Sequence, residues 1–171
     1  VVLSVGVLQA GTKRNIIPET ARIEATIRTF SEASRQKMMD TVPRLLKGIA
    51  AAHGLEVDVD YQQEYPLTIT DEDETHTAEN VIEGLFGDSR LARWATPLSG
   101  SEDFSRVLAE VPGTFIGLSA VPRDADHATS AFNHSPYATF DDAVLSDGAA
   151  LYAELAVSRL AALAAGQTPA A

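Results

Sequence analysis

The sequence has no cysteine. A disulfide framework, a thiolate metal site and a thiol nucleophile are therefore excluded, and an intracellular, cytoplasmic setting fits. It also lacks any run of 18 apolar residues, so no segment reads as a membrane-spanning helix. No secretory leader pattern is visible. Basic residues are scarce: 13 Lys and Arg stand against 24 Asp and Glu, a formal net charge of −11. Such a chain repels phosphate backbones and anionic lipid, which argues against nucleic acid and membranes as partners. Several motifs are missing too. Neither Gly-x-Gly-x-x-Gly nor a Walker pattern occurs, so there is no phosphate-cradling loop. No Gly-x-Ser-x-Gly elbow supports a serine triad, and no His-Glu-x-x-His supports a helical metal site.

What is present is an ordinary globular composition. Hydrophobic residues make up 45% of 171 residues, enough to bury a core in one domain or two small ones. The chain opens on "VVLSVGVLQA", an apolar, valine-rich run with no initiator Met, which reads as a buried strand and as a chain cut inside a domain. Gly11, Asn15 and Pro18 then supply loop chemistry. In "ARIEATIRTF", residues 21–30, Ala21, Ile23, Ala25 and Ile27 alternate with Arg22, Glu24, Thr26 and Arg28. That period of two predicts a second strand, antiparallel to the first, with one wet face.

Residues 31–54 predict a helix capped by Ser31, with Met38, Val42, Leu45, Leu46 and Ile49 on one face and Gly54 at its end. Pro43 predicts a kink or a later start. "LEVDVDYQ", residues 55–62, alternates and predicts another strand. The acid-rich "EYPLTITDEDE", residues 64–74, reads as a solvated linker rather than a cation site. Beyond it come a short helix from about Thr75, a helix over "SEDFSRVLAEVPG" with Ser101 as its cap, a buried strand over 114–120, a long loop and a helix over 141–165. The last residues, "GQTPAA", should fray. The fold class is α/β, with an open-faced layer first and a boundary near 64–74.

Three constellations could carry chemistry. His134, in "AFNHSPYATFDD", sits in a turn before a helix, where an imidazole can be held as a metal ligand. A metal needs three or four protein ligands; His127, His76, Glu102 and Asp103 are the other donors in view, in no recognised spacing. On local grounds His134 is a surface loop histidine. Glu102 and Asp103 adjoin a helix start, where acids complement the helix dipole. Asn15 and Arg28 pair an amide with a guanidinium fork suited to a carboxylate; locally they read as a turn residue and a surface arginine.

Taken in order, "GTKRNIIPETARIEATIRTF", "YP", "GSEDFS", "PGTFIGL" and "NHSPYATFDDAVLSDGAALY" resemble the C-terminal part of the M20 metallopeptidases and amidohydrolases, closest to the aminoacylase, hippurate hydrolase and auxin-conjugate hydrolase branch. The resemblance runs through nearly the whole chain. It implies a partial lid or dimerisation domain over residues 1–65, an α+β layer that makes a homodimer. Residues 75–171 would then be the C-terminal part of an exopeptidase-like α/β catalytic domain holding two metal ions, zinc or manganese. It implies His134 as a metal ligand, Asn15 and Arg28 as contacts to the substrate's carboxylate or carbonyl, and Glu102 and Asp103 as support behind the site. The activity implied is hydrolysis of the amide bond of N-acyl amino acids or related small peptide-like substrates. The family's His-x-Asp motif, bridging ligand and catalytic glutamate have no counterpart here, so this chain by itself is expected to be inactive. Ala10 replaces a family glycine, and Leu98 or Ser99 a frequent methionine. The competing reading is a non-catalytic dimerisation or interaction module derived from that family, its incomplete sheet edge open to pairing. A complete enzyme would bind about two ions per chain; a module would bind none.

Overall fold

The computed structural model describes residues 1–166; the expected fraying of 167–171 lies outside the described residues. The architecture is α/β. The chain divides into two compact units, Val1–Thr68 with Trp94–Arg106, and Ile69–Arg93 with Val107–Ala171.

In the first unit, strand β1 (Val2–Ala10) pairs antiparallel with β2 (Ala21–Arg28). The ladder holds one irregularity: Val5 faces Ala25 and Val7 faces Glu24, so Gly6 is an extra residue. Side chains in a strand alternate faces, so one extra residue switches parity. The switch puts Leu3, Val5, Leu8 and Ala10 opposite Ile27, Ala25, Ile23 and Ala21, on one continuous apolar face. Without it Leu8 would fall on the face of Arg22, Glu24 and Arg28. Leu3, Val5, Leu8 and Ile23 are exposed, so β1 is apolar without being the buried strand expected.

Helix α1 (Glu32–Ala52) begins at Ser31, whose hydroxyl accepts from Ser34 N–H at 3.1 Å. It passes through Pro43 as one 21-residue element, so the later start does not occur. Proline there removes only the N–H that would bond Met39, and the surrounding turns keep theirs. The helix ends in a paired-bond cap: Leu55 N–H bonds Ala50 C=O at 2.9 Å and Gly54 N–H bonds Ala51 C=O at 3.1 Å. Gly54 adopts φ 68°, the left-handed conformation that this cap requires. Residues 55–62 were expected as a strand, but the described sheet consists of β1 and β2 alone. Val59 and Tyr61 are half-buried, while Leu55 and Val57 are exposed.

In the second unit, helix α2 (Glu72–Phe86) corrects the linker reading of the acids. Asp71 is its cap, accepting from Glu74 N–H at 2.9 Å, and Glu72, Asp73 and Glu74 fill the first turn. Negative charge there complements the exposed N–H groups and the helix dipole. Ala78 and Ile82, 2% and 7% exposed, form its buried stripe. Helix α4 (Val144–Ala164) packs against α2. The contact is pinned by an ion pair from Arg159 to Glu74, while Arg90 reaches Asp147 at 2.7 Å. Ahead of α4, the Asp141 carboxylate accepts from Ala143 N–H at 2.9 Å.

Two expectations for this stretch fail. The helix anticipated over "SEDFSRVLAEVPG" is a single turn, α3 (Ser105–Leu108). Pro112 disfavours helix in the residue before it, and the chain leaves α3 through turns closed on Val107 C=O. Residues 114–120 are not part of a strand. A strand takes its hydrogen bonds from another segment, and no further ladder is formed among the described residues.

Candidate functional site

The residues singled out from sequence fall on both units. Asn15, Arg28, Glu102 and Asp103 belong to the first and His134 to the second.

Arg28 closes the β2 strand, opposite Val2 at the first rung of the ladder. It stands on the polar face of β2 and is half-buried. Its Nη1 donates to the Ser101 hydroxyl at 2.9 Å. No carboxylate among the described residues lies within ion-pairing distance of it. A guanidinium offers five N–H donors, so most of its capacity for an anion is unspent. Asn15 lies in an exposed turn where Ile16 N–H reaches Lys13 C=O at 3.3 Å. That turn joins the strands at the Ala10–Ala21 end. Arg28 is seven residues further along β2, roughly 23 Å at strand rise. Strand pairing therefore does not bring Asn15 and Arg28 together.

Residues 94–106 fold with the first unit. Arg106 donates to Glu64 C=O at 2.7 Å and lies over the Tyr65 ring at 5.6 Å. Ser105, 1% exposed, donates its hydroxyl proton to Glu102 C=O at 2.5 Å. Glu102 turns its carboxylate inward on the same loop, accepting from Phe104 N–H at 3.1 Å. Asp103 is exposed, and its carbonyl accepts from Arg106 N–H at 3.0 Å. Ser101 was read from sequence as a helix cap. It is instead the hydroxyl that meets Arg28, 73 residues away, and no local pattern signals that contact.

His134 is exposed in the loop before α4. The turn around it is closed by Ser135 N–H on Phe132 C=O at 2.8 Å and Ala138 N–H on Ser135 C=O at 3.1 Å. Phe132 is its ring neighbour, with centroids 6.4 Å apart. Among the described residues, no group of three or more His, Asp or Glu is arranged to hold a metal ion. Within the second unit His134 is thus a single donor, and His127 and His76 do not complete a site with it. Among the described residues, no helix is long and apolar enough to cross a membrane.

A second charged cluster lies on α2. Glu79, 14% exposed, accepts from Arg93 Nε at 2.7 Å and Nη2 at 2.9 Å, and faces His76 Nδ1 at 3.2 Å. The hydrogen bonds from Arg93 hold the Glu79 carboxyl below its ordinary value, with His76 adding to the effect.

The family described as "Peptidase family M20/M25/M40" matches residues 3–158. The chain is 32% identical over 157 residues to thermostable carboxypeptidase 1 of Saccharolobus solfataricus, covering 91% of this chain and 38% of that protein. It is 27% identical over 159 residues to hippurate hydrolase of Campylobacter jejuni, covering 93% of this chain and 40% of that protein. Among solved structures it matches the Bacillus subtilis YXEP protein, described as a dinuclear metal binding peptidase from the M20 family. That match has a TM-score of 0.75 and 29% identity, and covers 93% of this chain and 42% of the other. The chain spans about two-fifths of the length of the curated relatives it matches.

Proposed function

The chain belongs to peptidase family M20/M25/M40, and from that premise we propose that it forms part of a metal-dependent amidohydrolase. The substrates would be N-acyl amino acids or related small peptide-like amides. Residues 1–65 act in this reading as a partial lid, and residues 75–171 as the C-terminal part of the catalytic domain, with 94–106 folded onto the lid layer. Arg28 carries the reading. It is a half-buried guanidinium with a neutral partner and no carboxylate at hand, which suits it to the free carboxylate that every N-acyl amino acid has. Asn15 donates its amide to the substrate carbonyl, and Glu102 and Asp103 support the loop that carries Ser101.

Two divalent ions, zinc or manganese, belong to the complete enzyme, and the dinuclear relative supports this. The donors described here do not by themselves fit such a group; His134 would contribute one ligand. The 171 residues alone are accordingly inactive. The outer edges of the two-stranded sheet and its exposed apolar face suit a homodimer through this layer. The same observation favours the second reading, an association module without catalysis. The absence of cysteine fits the cytoplasm as its compartment.

The test uses the complete natural polypeptide in which these residues stand, loaded with zinc or manganese. Hydrolysis of N-acetyl and N-benzoyl amino acids, with KM raised by Arg28→Gln and metal content lowered by His134→Ala, is expected. No hydrolysis across that series, with no bound metal, would overturn the proposal in favour of the association module.

A further inference from the structure

The geometry points to Ser101 as the positioning residue for Arg28, and through Arg28 for the substrate carboxylate. This rests on the carboxylate-binding role proposed for Arg28 and adds a residue to it. Most arginines here whose partners are defined are neutralised by acids: Arg35 by Glu32, Arg90 by Asp147, Arg93 by Glu79. Arg28 is held by a hydroxyl, 2.9 Å from Nη1. The difference matters. A carboxylate partner would fix the guanidinium but cancel its charge. A hydroxyl fixes it and leaves the charge for an incoming anion.

The acid closest in sequence is kept out of this role. Glu102 follows Ser101 directly, yet its Oε1 accepts from Phe104 N–H. The loop is braced by Ser105, which is almost wholly buried and bonds Glu102 C=O through both its hydroxyl and its N–H, at 2.5 and 3.3 Å. The backbone of Glu102 is thereby pinned from the far side, and Ser101 is presented at a set position. While its oxygen accepts from Arg28, the Ser101 hydroxyl keeps one proton to donate. The pair thus offers a carboxylate the remaining N–H donors of the fork and one O–H.

The experiment is a double-mutant cycle on the complete natural polypeptide, with N-acetylglycine as the probe. Ser101→Ala should raise KM roughly three- to tenfold, the range of one hydrogen bond, with kcat within about twofold of the wild type. Ser101→Thr, which keeps the hydroxyl, should restore KM. Ser101→Ala should add nothing once Arg28→Gln is present, because it acts through Arg28. An unchanged KM in Ser101→Ala, or an effect that adds fully to that of Arg28→Gln, overturns the role of Ser101 while leaving that of Arg28 intact. An unchanged KM in Arg28→Gln removes the carboxylate reading itself, and this inference with it.

Discussion

Arg93 meets Glu79 edge to edge, Nε on Oε1 at 2.7 Å and Nη2 on Oε2 at 2.9 Å. These bonds favour the ionised carboxyl and lower its pKa from the ordinary 4.5. A depressed carboxyl stabilises the fold above its unfolded value and loses that contribution as pH falls through the folded value. The contribution is therefore expected in full above about pH 5 and to disappear in acid. Arg93→Ala should return the Glu79 titration toward its ordinary value and flatten this part of the acid limb. Carboxyl carbon NMR titration of both proteins checks it; an unmoved Glu79 midpoint would show that the pair is not formed in solution.

Asp71 caps α2 through Glu74 N–H. Asp71→Ala should cost about 1 kcal/mol, and Asp71→Asn much less, since the amide oxygen can still accept. Thermal unfolding of the three proteins separates the cap from the loss of a charge. Equal destabilisation by both variants would assign the effect to charge.

Gly6 is the extra residue of the β1 ladder, and a Cβ there meets nothing within 4 Å. Its backbone is not in the left-handed region. Gly6→Ala should therefore change stability by less than about 1 kcal/mol. Deleting Gly6 should do far more, because it moves Leu3 and Val5, or Leu8 and Ala10, to the opposite face. Urea unfolding compares them; a deletion as stable as the substitution would mean that the parity switch has no energetic role.

Gly148 lies inside α4, with the Leu118 Cδ2 methyl 3.1 Å from where a Cβ would stand. That methyl ends a flexible, exposed side chain and can move aside. The helical preference of alanine over glycine, about 1 kcal/mol, should then prevail, so that Gly148→Ala is neutral to stabilising. A lower melting temperature would show that Leu118 is held in place.

His134→Ala in the isolated 171-residue protein should leave metal content unchanged, because His134 is a lone donor among the described residues. Elemental analysis after equilibration with zinc decides it. A stoichiometric ion lost on this substitution would reveal a site that other residues complete.

The sequence by itself determined the two antiparallel strands, α1 with its Ser31 and Gly54 ends, and most of α4. Family membership was also legible, in five ordered segments, none sufficient alone. The strands and helices rest on periodicity and on caps whose partners lie within a few residues. Tertiary structure decided the rest. The run of acids from 71 to 74 reads as a linker until Asp71 N–H is seen bonded to Gly113 C=O, which anchors the start of α2. Residues 55–62 and 114–120 have strand composition but no strand, because a strand borrows its hydrogen bonds from distant segments while a helix supplies its own. The partnership of Ser101 with Arg28 spans 73 residues, and only the folded chain could assign that hydroxyl to the arginine rather than to a helix end.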